Sequence, residues 1–212
     1  MFRRILFITI LTIFGFQAKA QKITKANFKV SAESGLIRSA QITINSVVFR
    51  IASDGSLSFR FRGYLNSQTT EASFQNNEEI GSKDESWYQV DYYDKFDREE
   101  KMGKVKTVNG IKIDYYDIFD RDEKLGKVKS IGNLKIDYYD IFDRSEKLGK
   151  IKLIGDIRID YYEVFDGQEK QGKVKTIGNI KFDYFDSFDD RRAGRLRSIT
   201  GNNPSIHISV DR

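Results

Sequence analysis

Tyr92, Tyr115, Tyr138, Tyr161 and Tyr184 stand 23 residues apart, and each opens the same phrase, Y-[YF]-[DE]-x-F-D. A unit this short cannot close a core by itself, so neighbouring copies must stack, and stability becomes a sum over units and the contacts between them. Gly103, Gly126, Gly149 and Gly172 mark the same phase, with Gly194 arriving one residue early.

One copy, residues 126–148, holds two strand candidates and two breaks. The inner break is Asn109-Gly110, Gly132-Asn133, Gly155-Asp156 or Gly178-Asn179. These pairs accept positive φ and suit a two-residue hairpin turn. The outer break runs through residues 144–147. In the first strand the apolar residues lie three apart, as in Val128 and Ile131, so one extra residue is needed to bring both to one face. The spacing predicts a β-bulge at Lys106-Thr107, Lys129-Ser130, Lys152-Leu153 and Lys175-Thr176. It also predicts pairing of Ile131 with Leu134, Val128 with Ile136 and Lys127 with Asp137. Salt pairs are expected at Lys104-Asp114, Lys127-Asp137, Lys150-Asp160 and Lys173-Asp183, each contributing ~0.2–1 kcal/mol.

In that register Ile111, Ile113 and Tyr115 share an oily face with Val105 and Val108, while Lys112, Asp114 and Tyr116 look the other way. The expected fold is all-β, an antiparallel meander of tandem 23-residue β-hairpin repeats. About ten strands at roughly 4.8 Å make a sheet nearly 50 Å long. Its oily face must coil on itself, take cover from the segment before the repeats, or meet a partner.

That preceding segment divides in three. Residues 1–20 read as a secretory signal, with Arg3 and Arg4, an apolar run from Ile5 to Phe16 and an exit at Ala18-Lys19-Ala20. Residues 21–65 form an N-terminal β block, in which Ser53-Asp54-Gly55-Ser56 joins two alternating strands as a hairpin. Residues 66–86 form a polar linker, and residues 87–212 the repeat domain. The signal points to a secreted, periplasmic or cell-surface location. The apolar run is too short for a membrane span, and no later segment is long or apolar enough for one.

Once the signal is removed, 33 basic residues face 31 acidic ones, a balance that leaves no electrostatic footprint for nucleic acid or an anionic membrane. Cysteine is absent, so an exported chain of this size must hold together without disulfides or thiolate metal sites.

The unit resembles two families of short tandem β-hairpin repeat. The 23-residue period, the aromatic pair Tyr138 and Phe142, and Gly149 eleven residues after Tyr138 resemble a MORN repeat. The phrase Ile-Gly-x-x-x-x-Asp-Tyr-Tyr is similar to choline-binding and toxin cell-wall repeats, whose aromatic cages hold choline or sugars. Either resemblance lies within residues 87–200, and each implies a binding or scaffold module rather than catalysis.

The second aromatic of each pair, Tyr93, Tyr116, Tyr139, Tyr162 and Phe185, falls on the polar face as a ladder with steps of about 9.6 Å. Such a ladder offers stacking platforms for a glycan or for a partner's apolar groups, and these five are the candidate ligand-binding residues. Phe185 in place of tyrosine suggests that the hydroxyl is dispensable. Recurrent carboxylates, such as Asp117 with Asp120 and Asp140 with Asp143, raise calcium binding as a second alternative. Each acidic loop also carries bases, so solvated turns and ion pairs are the expected use.

His207 is the lone histidine, and nothing in the chain assembles a nucleophile, a phosphate loop or a metal triad around it. Neither enzyme activity nor a cofactor is expected. The function expected is that of an exported structural or interaction scaffold of the cell envelope or surface, with a glycan or cell-wall binding module as the alternative. Candidate partners are a glycan, the cell wall or another protein, and the apolar sheet face also offers self-association.

Overall fold

A computed structural model of the chain describes residues 25–62, 89–189 and 191–211. The signal at 1–20 and the linker at 66–86 lie outside the described residues. Two sheets make up the fold. The smaller contains β1 (Ala26–Ser31), β2 (Ile37–Ile44), β3 (Val47–Ala52), β4 (Leu57–Phe61) and β15 (Ile206–Asp211), in the order β15-β1-β2-β3-β4. The larger is an unbroken antiparallel meander of β5 (Val90–Tyr92), β6 (Val105–Val108), β7 (Ile111–Tyr115), β8 (Val128–Ile131), β9 (Leu134–Tyr138), β10 (Ile151–Ile154), β11 (Ile157–Tyr161), β12 (Val174–Ile177), β13 (Ile180–Tyr184) and β14 (Leu196–Thr200). The fold is all-β, and both sheets are open.

The inner breaks are two-residue turns, with Val108 opposite Ile111 and Ile131 opposite Leu134. Asn109 and Gly110 both have positive φ, at 47° and 73°, as a type I′ turn demands. At the other three turns glycine comes first, and it alone has positive φ.

The bulges fall at the expected residues but act on the other ladder. Val128 and Ser130 face Tyr115 and Asp114 of the preceding unit, leaving Lys129 as the extra residue. Lys106, Lys152, Lys175 and Arg197 hold the same place in the other units. The expected pairing of Val128 with Ile136 is therefore replaced by pairing of Val128 with Tyr115, because the hairpin ladder closes after two residue pairs. The inference about faces survives, since Val128, Ile131, Leu134, Ile136 and Tyr138 are all buried.

Of the three fates open to the oily face, cover from the N-terminal block is the one adopted. Phe28, Val30, Ile42, Phe49 and Ile51 of the smaller sheet join Ile113, Ile136, Ile159 and Phe182 of the larger in one buried cluster. Apolar burial at about 25 cal/mol per Å² drives this packing. The attachment is also polar and keyed to the repeat. At the bulges the N–H of Val128 donates to the Gly55 carbonyl (3.0 Å), that of Val174 to Gly35 (2.9 Å) and that of Leu196 to Ala32 (2.8 Å). Turns of the covering sheet thus use amides that the bulge has freed from the ladder.

The boundary drawn at residue 87 does not isolate the repeats. β15 leaves the larger sheet and pairs in parallel with β1, Ala26 opposite Ile206 through Ser31 opposite Asp211. His207, on that strand, is exposed.

Candidate functional site

The outer face of the larger sheet and its loop edge repeat at 23-residue intervals, and each stripe has its own chemistry. Nearest the loops lie the second aromatics, and they do not form an open platform. Tyr116 and Tyr139 are buried, while Tyr93, Tyr162 and Phe185 are half-buried. Each tyrosine reaches into the next unit. The hydroxyls of Tyr93, Tyr116, Tyr139 and Tyr162 donate to the carbonyls of Ile113, Ile136, Ile159 and Phe182 at 2.7–2.9 Å. Their rings meet Tyr115, Tyr138, Tyr161 and Tyr184 edge-on, with centroids 5.9–6.1 Å apart. Two lysines bracket each ring, as Lys124 (5.6 Å) and Lys129 (5.0 Å) do at Tyr116. The ladder expected to offer stacking platforms is instead the staple between units. Burial and then the nearby Asp160 carboxylate push the Tyr139 hydroxyl up to about 12.

Phe185 now has a different explanation. Its unit is the last of the larger sheet: β14 is the edge strand, so no further strand lies beyond it to supply the next-unit carbonyl that the other hydroxyls reach. The hydroxyl is needed wherever a following unit exists.

The salt pairs also differ from expectation. Asp114, Asp137, Asp160 and Asp183 are bonded by Lys101, Lys124, Lys147 and Lys170 at 2.5–2.7 Å, thirteen residues back rather than ten. Lys104, Lys127 and Lys150 reach forward to the carbonyls of Gly126, Gly149 and Gly172 at 2.5–2.6 Å, and Lys173 does the same to Gly194. Lys127 sits opposite Tyr116 of the preceding unit, whose N–H donates to its carbonyl, so its side chain is out of line with Asp137. Burial lowers the pKa of these four forward-reaching lysines. Lys147, by contrast, is buried but bonded to both Asp160 and Glu163, and these carboxylates outweigh burial to hold its ammonium charged.

The acidic loops are spent in the same way. Lys106, Lys129, Lys152 and Lys175, at the bulges, bond Asp97, Asp120, Asp143 and Asp166 at 3.0–3.2 Å. Among the described residues no group of three or more His, Cys, Asp or Glu side chains is arranged to hold a metal ion.

What the loops do present is phenylalanine. In the first three units the Phe N–H donates to the first aspartate, as Phe119 does to Asp117 (3.1 Å), and the first residue's own N–H donates to the second, Asp117 to Asp120 (3.0 Å); the fourth loop keeps the second bond, Glu163 to Asp166, and the fifth the first, Phe188 to Asp186. Closing the loop on these carboxylates turns the x-F pair outward. Phe96, Phe119, Phe142, Phe165 and Phe188 are 76–96 % exposed, and Ile118 and Ile141 beside them are also exposed. Arg98, Arg121 and Arg144 stack on the next unit's ring, at 4.3 Å from Phe119, 4.1 Å from Phe142 and 5.3 Å from Phe165. The same guanidinium groups bond Asp117, Asp140 and Glu163. Between them lie hollows such as the shallow depression of about 460 Å³ lined by Tyr116, Phe119, Asp120, Arg121 and Lys124. Sequence reasoning passed over this row, although its position was legible: a large apolar residue at fixed phase between two aspartates of a loop has nowhere to bury itself.

Among the described residues no helix is long and apolar enough to cross a membrane. Comparison with protein-family models, with curated proteins and with solved structures yields no match.

Proposed function

We propose that this chain is an exported, non-enzymatic β-repeat protein that serves as a structural or interaction scaffold of the cell envelope or surface. One observation carries the reading: five phenylalanines at a single repeat phase stand exposed at the loop edge, while Tyr115, Tyr138, Tyr161 and Tyr184 are buried and the second aromatics are buried or half-buried. A row of large apolar side chains kept in water is a feature of recognition surfaces rather than of solvated loops. Arginine stacking supports it further, since three rings are held in place by a cation that is itself fixed by a carboxylate. The burial of Tyr116 and Tyr139 argues against the tyrosine-ladder form of glycan binding, so contact is assigned to the phenylalanines.

The test is site-directed photocrosslinking in the producing cell. A photoreactive residue at Phe142 should give a discrete adduct that disappears when Phe119 and Phe165 are changed to Ser, and one placed at Asn45 in a turn of the covering sheet should give none. Absence of an adduct at Phe142 would refute the reading. Export is tested separately, by N-terminal sequencing for a chain that begins at Gln21.

A further inference from the structure

The meander has two ends, and they are incomplete in complementary ways. β14 and β5 are the edge strands of the larger sheet, so each leaves one side of its ladder unpaired. Between units inside the sheet, one cation bonds the next aspartate, a second bonds the next glycine carbonyl, and an aromatic ring meets the next tyrosine. The β14 end holds the reaching halves of these contacts without their targets. Arg192 and Arg195 take the places of Lys170 and Lys173, since the Arg195 N–H donates to the Arg192 carbonyl as that of Lys173 does to Lys170. Arg192 reaches Asp189 of its own loop, and the exposed Arg195 side chain has no partner among the described residues. The β5 end holds the targets alone. Asp91, at the phase of Asp183, forms no ion pair among the described residues and accepts from Thr107 instead. A lysine ammonium lies against Gly126, Gly149, Gly172 and Gly194, but none lies against Gly103.

The covering sheet is skewed over the larger one in the same sense. β15 starts with Ile206 over Gly178 and ends with Asp211 beside Ala32, which is itself bonded to the edge strand at Leu196, so its second half projects past β14. Val210, facing inward beside the buried Val30, is accordingly 43 % exposed. At the other end the apolar floor outruns its cover, and Tyr92 is 49 % exposed where its four counterparts are buried.

We infer that copies of this chain join end to end, β14 of one antiparallel to β5 of the next, so that the meander continues from copy to copy. In the phase of the interior hairpins Ser198 falls opposite Gln89, as Thr176 does opposite Lys181. Arg192 then meets Asp91, Arg195 meets the Gly103 carbonyl, the Phe185 ring meets Tyr92, and Val210 comes over the apolar corner left bare at Tyr92. Charge on an edge strand often serves to repel such pairing. Arg197 of β14 is not a guard of that kind, because interior strands carry lysine at the same place, as at Lys152 and Lys175. Phe185 supplies the ring of the contact without the hydroxyl, so a joint between copies is weaker than a joint within one and comes apart on dilution. The two surfaces in contact differ, which makes the association heterologous and open-ended.

The test is sedimentation of the mature chain over a concentration series, with two variants that each spoil one end. For the wild type, the average mass should climb past that of two chains by millimolar concentration without a plateau, and return to one chain on dilution. Tyr92→Glu blocks the β5 end and Val210→Glu the β14 end; both side chains are exposed, so circular dichroism should show each variant folded. Each alone stays monomeric, and an equimolar mixture forms a dimer that grows no further, since each variant supplies the end that the other lacks. Should either unfold, Asp91→Arg and Arg192→Asp, both at exposed positions, take their places in the same mixture. The Phe119→Ser/Phe165→Ser variant, altered at the loop edge, should associate as the wild type does, which separates this contact from the proposed recognition row. A wild-type chain that is monomeric throughout overturns the inference. So does a closed dimer, association that survives in the single-end variants, or a mixture of the folded variants that stays monomeric.

Discussion

The inter-unit staple makes a paired prediction in which one substitution and its near mirror image have unequal effects. Tyr139→Phe removes only the hydroxyl, which donates to the Ile159 carbonyl at 2.9 Å and lies 3.3 Å from the Asp160 carboxylate. The ring keeps its edge-on contact with Tyr161 at 5.9 Å and its flanking Lys147 and Lys152. The loss is therefore one buried hydrogen bond with a charged neighbour, about 1–2 kcal/mol. For a protein of this size that corresponds to a fall of roughly 3–6 °C in Tm. Phe185→Tyr adds a hydroxyl where no following strand supplies a carbonyl, because β14 is the edge strand of the larger sheet. It should change stability by less than about 0.5 kcal/mol, as surface substitutions do. Both variants are measured by urea unfolding of the mature chain, followed by tyrosine fluorescence and circular dichroism. If Tyr139→Phe proves neutral, or if Phe185→Tyr stabilises as much as Tyr139→Phe destabilises, the hydroxyl does not couple units and the account of the aromatic pair fails.

Gly55→Ala should cost about 1–3 kcal/mol, because φ there is +84° and a Cβ would lie 2.6 Å from Cγ of Lys127; a melt of the variant within 1 °C of wild type would contradict it. At high pH the folded chain holds the Tyr139 proton up to about 12, while the unfolded chain releases it near the ordinary value of 10.0, so this contribution is complete below 10.0 and is lost as pH rises to about 12. Unfolding followed by circular dichroism across that range should show stability declining there. At low pH the sign reverses: hydrogen bonding to Lys170 and the Tyr184 N–H outweighs burial and holds Asp183 below the usual carboxylate value, so its contribution is present above about pH 4 and disappears as pH falls further. Changing Phe119 and Phe165 together to Ser should leave the urea midpoint within error, since the rings are largely exposed, while abolishing the crosslink from position 142. A large loss of stability would assign that row to folding instead of recognition.

How far the chain could be read from its residues differs from stripe to stripe. The period, the two-residue turns, the bulge positions and the division into an oily and a charged face were all legible, because they follow from local spacing: strand side chains alternate, and glycine or asparagine is needed where φ is positive. The ladder on which the bulge acts was not legible, since a strand inside a meander has two neighbours and its own sequence does not say which pairing absorbs the extra residue. The same ambiguity misplaced the salt pairs. A lysine ten residues before an aspartate looks like its cross-strand partner, yet Lys124 folds back from its loop to reach Asp137 while Lys127 is drawn forward to Gly149.

By itself, then, the sequence determined an all-β stack of hairpins with one apolar face, since every unit repeats the same local instruction. Only the tertiary structure decided what each exposed-looking residue faces. The tyrosine beside the oily row was free to point at solvent until the next unit brought a carbonyl within 2.9 Å of its hydroxyl. The phenylalanine between two aspartates, by contrast, was left with no neighbour to bury it. The covering sheet docks on bulge amides 46 residues apart, Val128 and Val174, a correspondence that exists only once the repeats are stacked in space. Contacts between copies depend on how successive units superpose, and that superposition is set by packing over the whole sheet rather than by any one unit's residues.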